Sequence, residues 1–190
     1  MTEKEKGMLG QLYNPNKDKS LQQEMMKCKD LCAKYNNISP LDEEKRMELL
    51  CRLLGYVGGE AKILSPFYCD YGKNISIGAN FFANHNLIIL DGANVTFGEN
   101  VFIAPNCCFT TAGHPIDAKR RNEGLEFAYP ITVGDNVWIG AGVTVLPGVT
   151  IGDYAVIGAG SVVNNDIPSG VVAAGNPCRV LHPITEADFQ

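Results

Sequence analysis

The sequence predicts a mainly β fold in which short strands wind into a parallel β-helix, with a helical N-terminal cap and one extended loop. Three observations predict it. Apolar residues fall six positions apart at Val133, Ile139, Val145, Ile151, Ile157 and Val163. A second row runs two places earlier, through Ile131, Val137, Val143, Val149, Ala155 and Ser161. Glycine follows the first row at Gly134, Gly140, Gly152 and Gly158. Such a fixed repeat is the period of neither a helix nor a long strand.

The triplets give the period its physical meaning. In Ile131-Thr132-Val133, Val137-Trp138-Ile139 and Val149-Thr150-Ile151 the outer residues are apolar and the middle one varies. A three-residue strand with one buried face requires that alternation. The glycine that follows each strand, with Asp or Ala after it, is turn chemistry, glycine supplying φ values that strain other residues. Three such units make one turn of a triangular prism, and parallel stacking of the turns buries both apolar rows.

In chain order, residues 20–35 read as a helix with Leu21, Met25, Cys28, Cys32 and Tyr35 on one face, opened by a capping box of Ser20 and Gln23. A second helix begins after Ser39, with Pro40 at its first position, Met47, Leu50, Cys51 and Leu54 on one face, and Gly55 as its stop. Both are expected to cap the open end of the coil. The coil is expected to begin near Ile75. Its triplets run Ile75-Ser76-Ile77, Phe81-Phe82-Ala83, Leu87-Ile88-Ile89, then, after a slip of two at residues 91–94, Val95-Thr96-Phe97, Val101-Phe102-Ile103 and Cys107-Cys108-Phe109. Cys107 and Ile131 then stand 24 positions apart where the repeat calls for six, so a loop over residues 110–128 leaves the prism. Long insertions in compact repeats are usually functional or disordered. Twelve triplets make four turns, and a last strand with a proline-bearing turn closes the coil around residues 171–180. The organisation expected is one globular unit: cap over residues 1–58, coil over 59–182, tail over 183–190.

Composition narrows the function. A chain of 190 residues with 45% hydrophobic content suits one domain with a sizeable core. A net charge of −5 and a pI near 5.2 lack the clustered cations that a nucleic-acid footprint needs. No apolar run is long enough for a membrane span, and the charged start Met1-Thr2-Glu3-Lys4-Glu5-Lys6 is followed by no signal-peptide core. The seven cysteines, an odd number without C-x-x-C spacing, read as small buried hydrophobes in a reducing compartment, and no metal site is expected of them. A cytoplasmic protein is the expectation.

The segments Asp70-Tyr71-Gly72, Phe82-Ala83-Asn84, Ala112-Gly113-His114-Pro115, Ile139-Gly140 and Ala174-Gly175-Asn176-Pro177-Cys178-Arg179 carry more than the repeat does. With them, and from Gly10-Gln11-Leu12-Tyr13 to Arg179, the chain resembles the maltose and galactoside O-acetyltransferases, bacterial sugar O-acetyltransferases of the hexapeptide-repeat superfamily. The resemblance implies a left-handed β-helix, a homotrimer with active sites between neighbouring prisms, acetyl-CoA as donor and a sugar as acceptor. Maltose, glucose and galactosides are its acceptor class.

Acetyl transfer to a sugar hydroxyl needs a base for the hydroxyl proton, and a histidine titrates in the right range. His114, between glycine and proline at the root of the long loop, matches the motif histidine; without the motif, a histidine bonding loop backbone fits equally well. His85 and His182 receive no role. By position, the resemblance makes Asp70, Asn84, Asp91 and Glu126 substrate contacts, with Asn14 standing where galactoside enzymes carry an aspartate. Competing structural roles are a turn cap for Asp70, a corner for Asn84 and a solvated carboxylate for Glu126. Glu126 is also a candidate to orient the His114 imidazole. For coenzyme A the candidates are Trp138, pointing outward from its triplet, and Ala141 and Ala159, small corner residues whose backbone amides reach pantetheine or a developing oxyanion. Arg179 is the phosphate or adenosine contact, with Asn164 and Asn165 where related enzymes carry Thr-Lys. The alternatives are a noncatalytic trimeric scaffold on the same repeat, and a zinc enzyme of the γ-carbonic-anhydrase type, which needs three converging histidines.

Overall fold

The computed structural model describes residues 1–188; the last two residues of the tail lie outside them. Its body is a parallel β-helix of three sheets. The first sheet stacks Tyr56–Val57, Ile75–Ile77, Val95–Phe97, Ile131–Val133 and Thr150–Ile151. The second stacks Ala61–Ile63, Phe81–Ala83, Phe102–Ile103, Trp138–Ile139 and Val156–Ile157, then takes the hairpin Val171–Gly175 and Cys178–Pro183. The third stacks Phe67–Cys69, Leu87–Leu90, Cys108–Thr110, Thr144–Val145 and Val162–Val163. Outer triplet residues point in and middle ones out, as in Val95-Thr96-Phe97 and Ile131-Thr132-Val133. One continuous core results, reaching from Cys28 and Leu50 in the cap to Cys178.

The coil starts at Tyr56, one turn before the expected Ile75, because Tyr56–Val57, Ala61–Ile63 and Phe67–Cys69 pair in parallel with the next turn. There are therefore five turns rather than four. This first turn carries Gly58 in the expected corner, but its opening triplet, Gly55-Tyr56-Val57, lacks the leading apolar residue of the later ones.

The register locates every irregularity. In the first sheet Val57, Ile77 and Phe97 are successive partners, as are Phe97 and Val133, then Val133 and Ile151. The third-sheet partners are Cys69, Ile89 and Phe109. The extra residues of the first three turns thus all fall at one corner, between the third sheet and the first: residues 70–74, 91–94 and 111–130.

The corners correct the expected role of glycine. Gly78, Gly98, Gly134 and Gly152 do not have positive φ. A Cβ on any of them would collide with the next turn: on Gly98 it would strike the Asp135 carboxylate and the Gly134 backbone. The left-handed positions come two residues later, at Asn80, Asn100, Asn136, Tyr154 and Gly170. Asparagine tolerates that region better than most residues, and here its amides also bond to each other between turns: Asn80 to Asn100 at 3.0 Å, and at the next corner Asn86 to Asn106 at 2.9 Å.

The cap comprises α1 (Glu3–Met8), α2 (Lys19–Asn36) and α3 (Glu43–Leu53). The sequence reading missed α1, which opens with a capping box between Thr2 and Glu5. In α2 the N-cap is Asp18 rather than Ser20, since the Asp18 carboxylate accepts from the backbone of Ser20 and Leu21. α3 starts after Asp42, not at Pro40, and its buried face is Leu49, Leu50 and Leu53, leaving Cys51 exposed. The cap also closes the backbone of the first turn. Tyr35 donates its hydroxyl to the Ile63 carbonyl at 2.6 Å, and Asn36 makes a reciprocal pair with the Phe67 backbone at 2.8 and 2.9 Å. No helix among the described residues is long and apolar enough to cross a membrane.

Gly98→Ala should lower stability by about 1–3 kcal/mol, because the added methyl meets backbone and a fixed carboxylate of the next turn. Gly170→Ala, at φ +67° with open space around it, should cost only about 1–2 kcal/mol through backbone strain. Urea midpoints of the two variants measure the difference; a Gly98→Ala variant as stable as the parent would refute the stacking constraint.

Candidate active site

The irregular corner is stitched together turn by turn. Asp91 opens the second insertion, and its Oδ1 accepts the backbone N–H of Asp70 and of Tyr71, both at 2.9 Å, in the turn before. Thr111 opens the third: its hydroxyl donates to the Leu90 carbonyl at 2.7 Å and accepts the Ala93 N–H at 2.9 Å. Both side chains are fully buried. Asp91 is thereby a strut that sets the backbone of Asp70, and its side chain has no surface to offer an acceptor, contrary to its expected role as a direct contact. Its Oδ2 has no hydrogen-bond partner. Burial pushes the carboxyl up to about 7, against the two N–H donors.

The long insertion is structured. Ala112–Gly113 and Phe127–Ala128 form an antiparallel pair, and the outer part carries the short helix α4 (Ala118–Asn122), capped by Asp117. Gly113 is required because a Cβ there would enter the Phe127 ring. His114 leaves this pair exposed to solvent, with Nδ1 3.0 Å from the Leu125 carbonyl oxygen. A carbonyl only accepts, so Nδ1 carries the proton and donates it. Nε2 is left with a free lone pair. The Leu125 carbonyl therefore does the orienting that the sequence offered to Glu126.

Glu126 follows and turns toward Tyr13, whose hydroxyl lies 3.4 Å from Oε2; the two residues are also bridged through their backbones. Burial raises the Glu126 carboxyl, opposed by the electrostatic pull of His114 and by the Tyr13 hydroxyl. Burial likewise raises the half-buried Asp70, with Lys29 opposing it. Tyr13 and Tyr71 are both driven upward, chiefly by burial, Tyr13 then by Glu126 and Asp70, and Tyr71 by Tyr13 and these carboxylates. His114, Glu126, Asp70, Tyr13 and Tyr71 thus form one electrostatic neighbourhood. Tyr13 and Tyr71 stood in the quoted motifs, yet nothing in their spacing marked them as site residues. Asn14 is buried at its edge, and its amide is committed: Nδ2 donates to the Glu123 carbonyl at 2.6 Å and Oδ1 accepts from Asn16 at 3.0 Å. As with Asp91, the expected sugar contact gives way to a structural one.

The other candidates lie elsewhere on the chain. Asn84 sits at the corner between second and third sheets, accepting the His85 N–H at 2.8 Å. Ala141 and Ala159 occupy the same corner two and three turns on. Among the described residues neither Ala141 nor Ala159 donates its N–H to a protein acceptor, so these amides are free for a ligand carbonyl, as pantetheine would require. Trp138 points outward, 56% exposed, beside Phe102 at 52%. Asn164, Asn165 and Arg179 meet at the final turn: Arg179 Nη1 donates to Asn164 Oδ1 at 3.2 Å, and Asn165 Nδ2 to the same oxygen at 3.0 Å. The histidines do not converge, since His85, His114 and His182 each meet a different carbonyl, of Ser65, Leu125 and Pro183. Among the described residues, one copy of the chain therefore builds no three-histidine site.

Comparisons with known proteins bear on the fold and the reaction class. The maltose acetyltransferase hexapeptide capping motif matches residues 6–58, and the bacterial transferase hexapeptide pattern of six repeats matches residues 130–165. A Saccharomyces cerevisiae protein named as an acetyltransferase is 57% identical over 94% of this chain and 91% of its own. The galactoside O-acetyltransferase of Escherichia coli is 45% identical over 88% of this chain and 83% of its own. A galactoside acetyltransferase solved in complex with coenzyme A superposes with a TM-score of 0.96 at 44% identity, covering 100% of this chain and 94% of that one.

Asp91 makes stability depend on pH in a defined sense. Its folded-state pKa lies above the unfolded value near 3.8, so between about pH 4 and 7 the folded state holds the extra proton. Stability from this group is full below pH 4 and falls as pH rises through 7, by an amount on the order of a few kcal/mol. Urea denaturation across pH 4–8 should show a steeper fall in the parent than in Asp91→Asn, where the raised Asp70 and Glu126 remain; the same slope in both would assign it to those other groups.

Proposed function

The chain belongs to the hexapeptide-repeat sugar O-acetyltransferases that carry the maltose acetyltransferase capping motif, and from that membership we propose how its residues divide the work. It is an acyltransferase with acetyl-CoA as donor. In our reading His114 is the general base of a direct transfer to a hydroxyl of a maltose-, glucose- or galactoside-type sugar. The observation that carries this is the Nδ1–H bond to the Leu125 carbonyl, which presents Nε2 as a proton acceptor. The acceptor hydroxyl oxygen bonds to the acetyl carbonyl carbon, its proton passes to Nε2, the carbon–sulfur bond breaks, and the proton leaves with the CoA thiolate. No acetyl-enzyme is needed. Asp70 and Glu126, half-buried beside His114, hold sugar hydroxyls, and Asp91 acts on the sugar only by setting the Asp70 backbone.

The donor is assigned to the free amides of Ala141 and Ala159, the exposed Trp138 face and the Asn164-Asn165-Arg179 cluster. Within one prism Trp138, Ala141, Ala159 and Asn84 lie away from the corner that holds His114, whereas Asn164 and Asn165 follow the third sheet at that same corner two turns on. A second copy of the chain resolves the separation. The outer rows Phe102 and Trp138 of the second sheet and Tyr68 and Ile88 of the third are apolar and exposed, with Phe82 half-buried beside Phe102, as an unpartnered sheet face in a homo-oligomer would be. A homotrimer would set the second-to-third-sheet corner of one prism against the irregular corner of its neighbour, completing the site with Asn84.

His114→Ala should lower CoA release in the presence of maltose, glucose or a galactoside by about 100- to 10,000-fold, while calorimetric CoA affinity and oligomeric state stay as in the parent. Full turnover in that variant would overturn the role of His114. Absence of CoA binding by the parent would favour a scaffold. Trp138→Glu, which places a charge on the apolar row, should convert the trimer to monomer in light scattering and abolish activity with it.

A further inference from the structure

Three cysteines far apart in sequence meet under the cap. Cys28 and Cys32 are one turn apart on α2, and Cys69 ends the strand Phe67–Cys69 beneath it. The Cys28 and Cys69 sulfurs are 3.5 Å apart, those of Cys32 and Cys69 3.7 Å, and all three lie within 4.8 Å of one another. Each is at least nine-tenths buried. Among the described residues no other three Cys, His, Asp or Glu side chains converge this way.

We propose that Cys28, Cys32 and Cys69 form a tris-thiolate site for a thiophilic divalent ion of the zinc class, separate from the acetyl-transfer site. The geometry fits without rearrangement of the fold. A zinc–sulfur bond of about 2.3 Å puts tetrahedral sulfurs about 3.8 Å apart and trigonal ones about 4.0 Å. The separations to Cys69, 3.5 and 3.7 Å, fall just below those values, and the third is within 4.8 Å, so small side-chain shifts suffice. The supporting shell is rigid, because Tyr35 and Asn36 on the same helix are bonded to the backbone of Ile63 and Phe67 in the turn that carries Cys69. An entry path exists in a cavity of about 480 Å³ bounded by Lys29, Cys32, Tyr68, Cys69 and Asp70. Charge selects among thiophilic ions: a divalent ion with three thiolates carries −1, whereas a monovalent one leaves −2 in a buried site near the Asp70 and Asp91 carboxylates. On binding, three sulfur–metal bonds form, three thiol protons go to solvent, and no redox change occurs. Water takes the fourth position.

The test uses the full chain, reduced and freed of metal, titrated with Co(II) as a spectroscopic substitute for zinc and then with Zn(II) in competition. One Co(II) per chain should bind with thiolate-to-cobalt charge-transfer absorption, and zinc should displace it. Cys69→Ser and Cys32→Ser should each weaken binding by at least about 100-fold, more than loss of a supporting residue around a metal. Cys51→Ser, on the exposed face of α3, should leave it unchanged. Circular dichroism establishes that each variant is folded; where Cys69→Ser is not, Cys32→Ser decides. A folded parent with no thiolate absorption at stoichiometric Co(II), or equal absorption in both ligand variants, overturns the proposal. None of these readouts depends on acetyl transfer, so failure of the enzymatic reading leaves the result interpretable.

Discussion

Close stacking of one turn on the next is the constraint on which the rest of this structure depends. Parallel strands sit about 4.8 Å apart, and at a corner there is no pleat to carry a side chain clear of the neighbouring turn. The column Gly78, Gly98, Gly134 and Gly152 follows directly, each glycine covered by backbone or carboxylate from the turn above. Phe81, Phe97 and Phe109, edge to face at 5.2 and 5.0 Å, fill the core of the early turns, and valine and isoleucine fill the later ones. The interior fixes the frame, and the frame leaves only the outer rows and the corners free to vary.

Chemistry is placed where stacking is relaxed. At one corner the first three turns carry additional residues, and each insertion would be a floppy bulge if left alone. Asp91 and Thr111 bind the preceding turn instead, so the insertions become a continuous wall, and the Ala112–Gly113 and Phe127–Ala128 pair carries His114 out from it. A loop residue thus acquires the precision of a strand residue. Burial is accepted on the same wall: Asp91, Glu126 and Asp70 all have carboxyls shifted upward by desolvation, the kind of environment that polar ligands can relieve.

The six-residue period was legible because it is set by the prism, and the prism admits few solutions. From that period alone came the strands after Ile75, the direction of Trp138 and the length of the insertion that isolates His114. What was not legible has specific causes. The first turn opens on Gly55 where later turns carry an apolar residue, so its period begins without its first mark. Leu125 orients His114 through a carbonyl, which leaves no trace in residue identity. Asn14 and Asp91 look like ligands by type and position, yet hydrogen bonding and burial commit them to the fold, and only coordinates reveal such commitments. The convergence of Cys28 and Cys32 with Cys69 was hidden because pair spacing was sought along the chain, whereas α2 and the first turn meet at a sequence separation of 37 or more.

A coil of parallel strands has two open ends, each a template on which another coil could grow without limit. Here one end meets the Tyr35 hydroxyl, the Asn36 amide and the Arg46 guanidinium, which occupy the carbonyls of Ile63 and Phe67. At the other end the chain reverses, and Cys178–Pro183 runs antiparallel to Val171–Gly175, a direction the repeat cannot extend. These two terminations make the molecule a discrete particle: without them the same repeat would polymerise end to end into a filament.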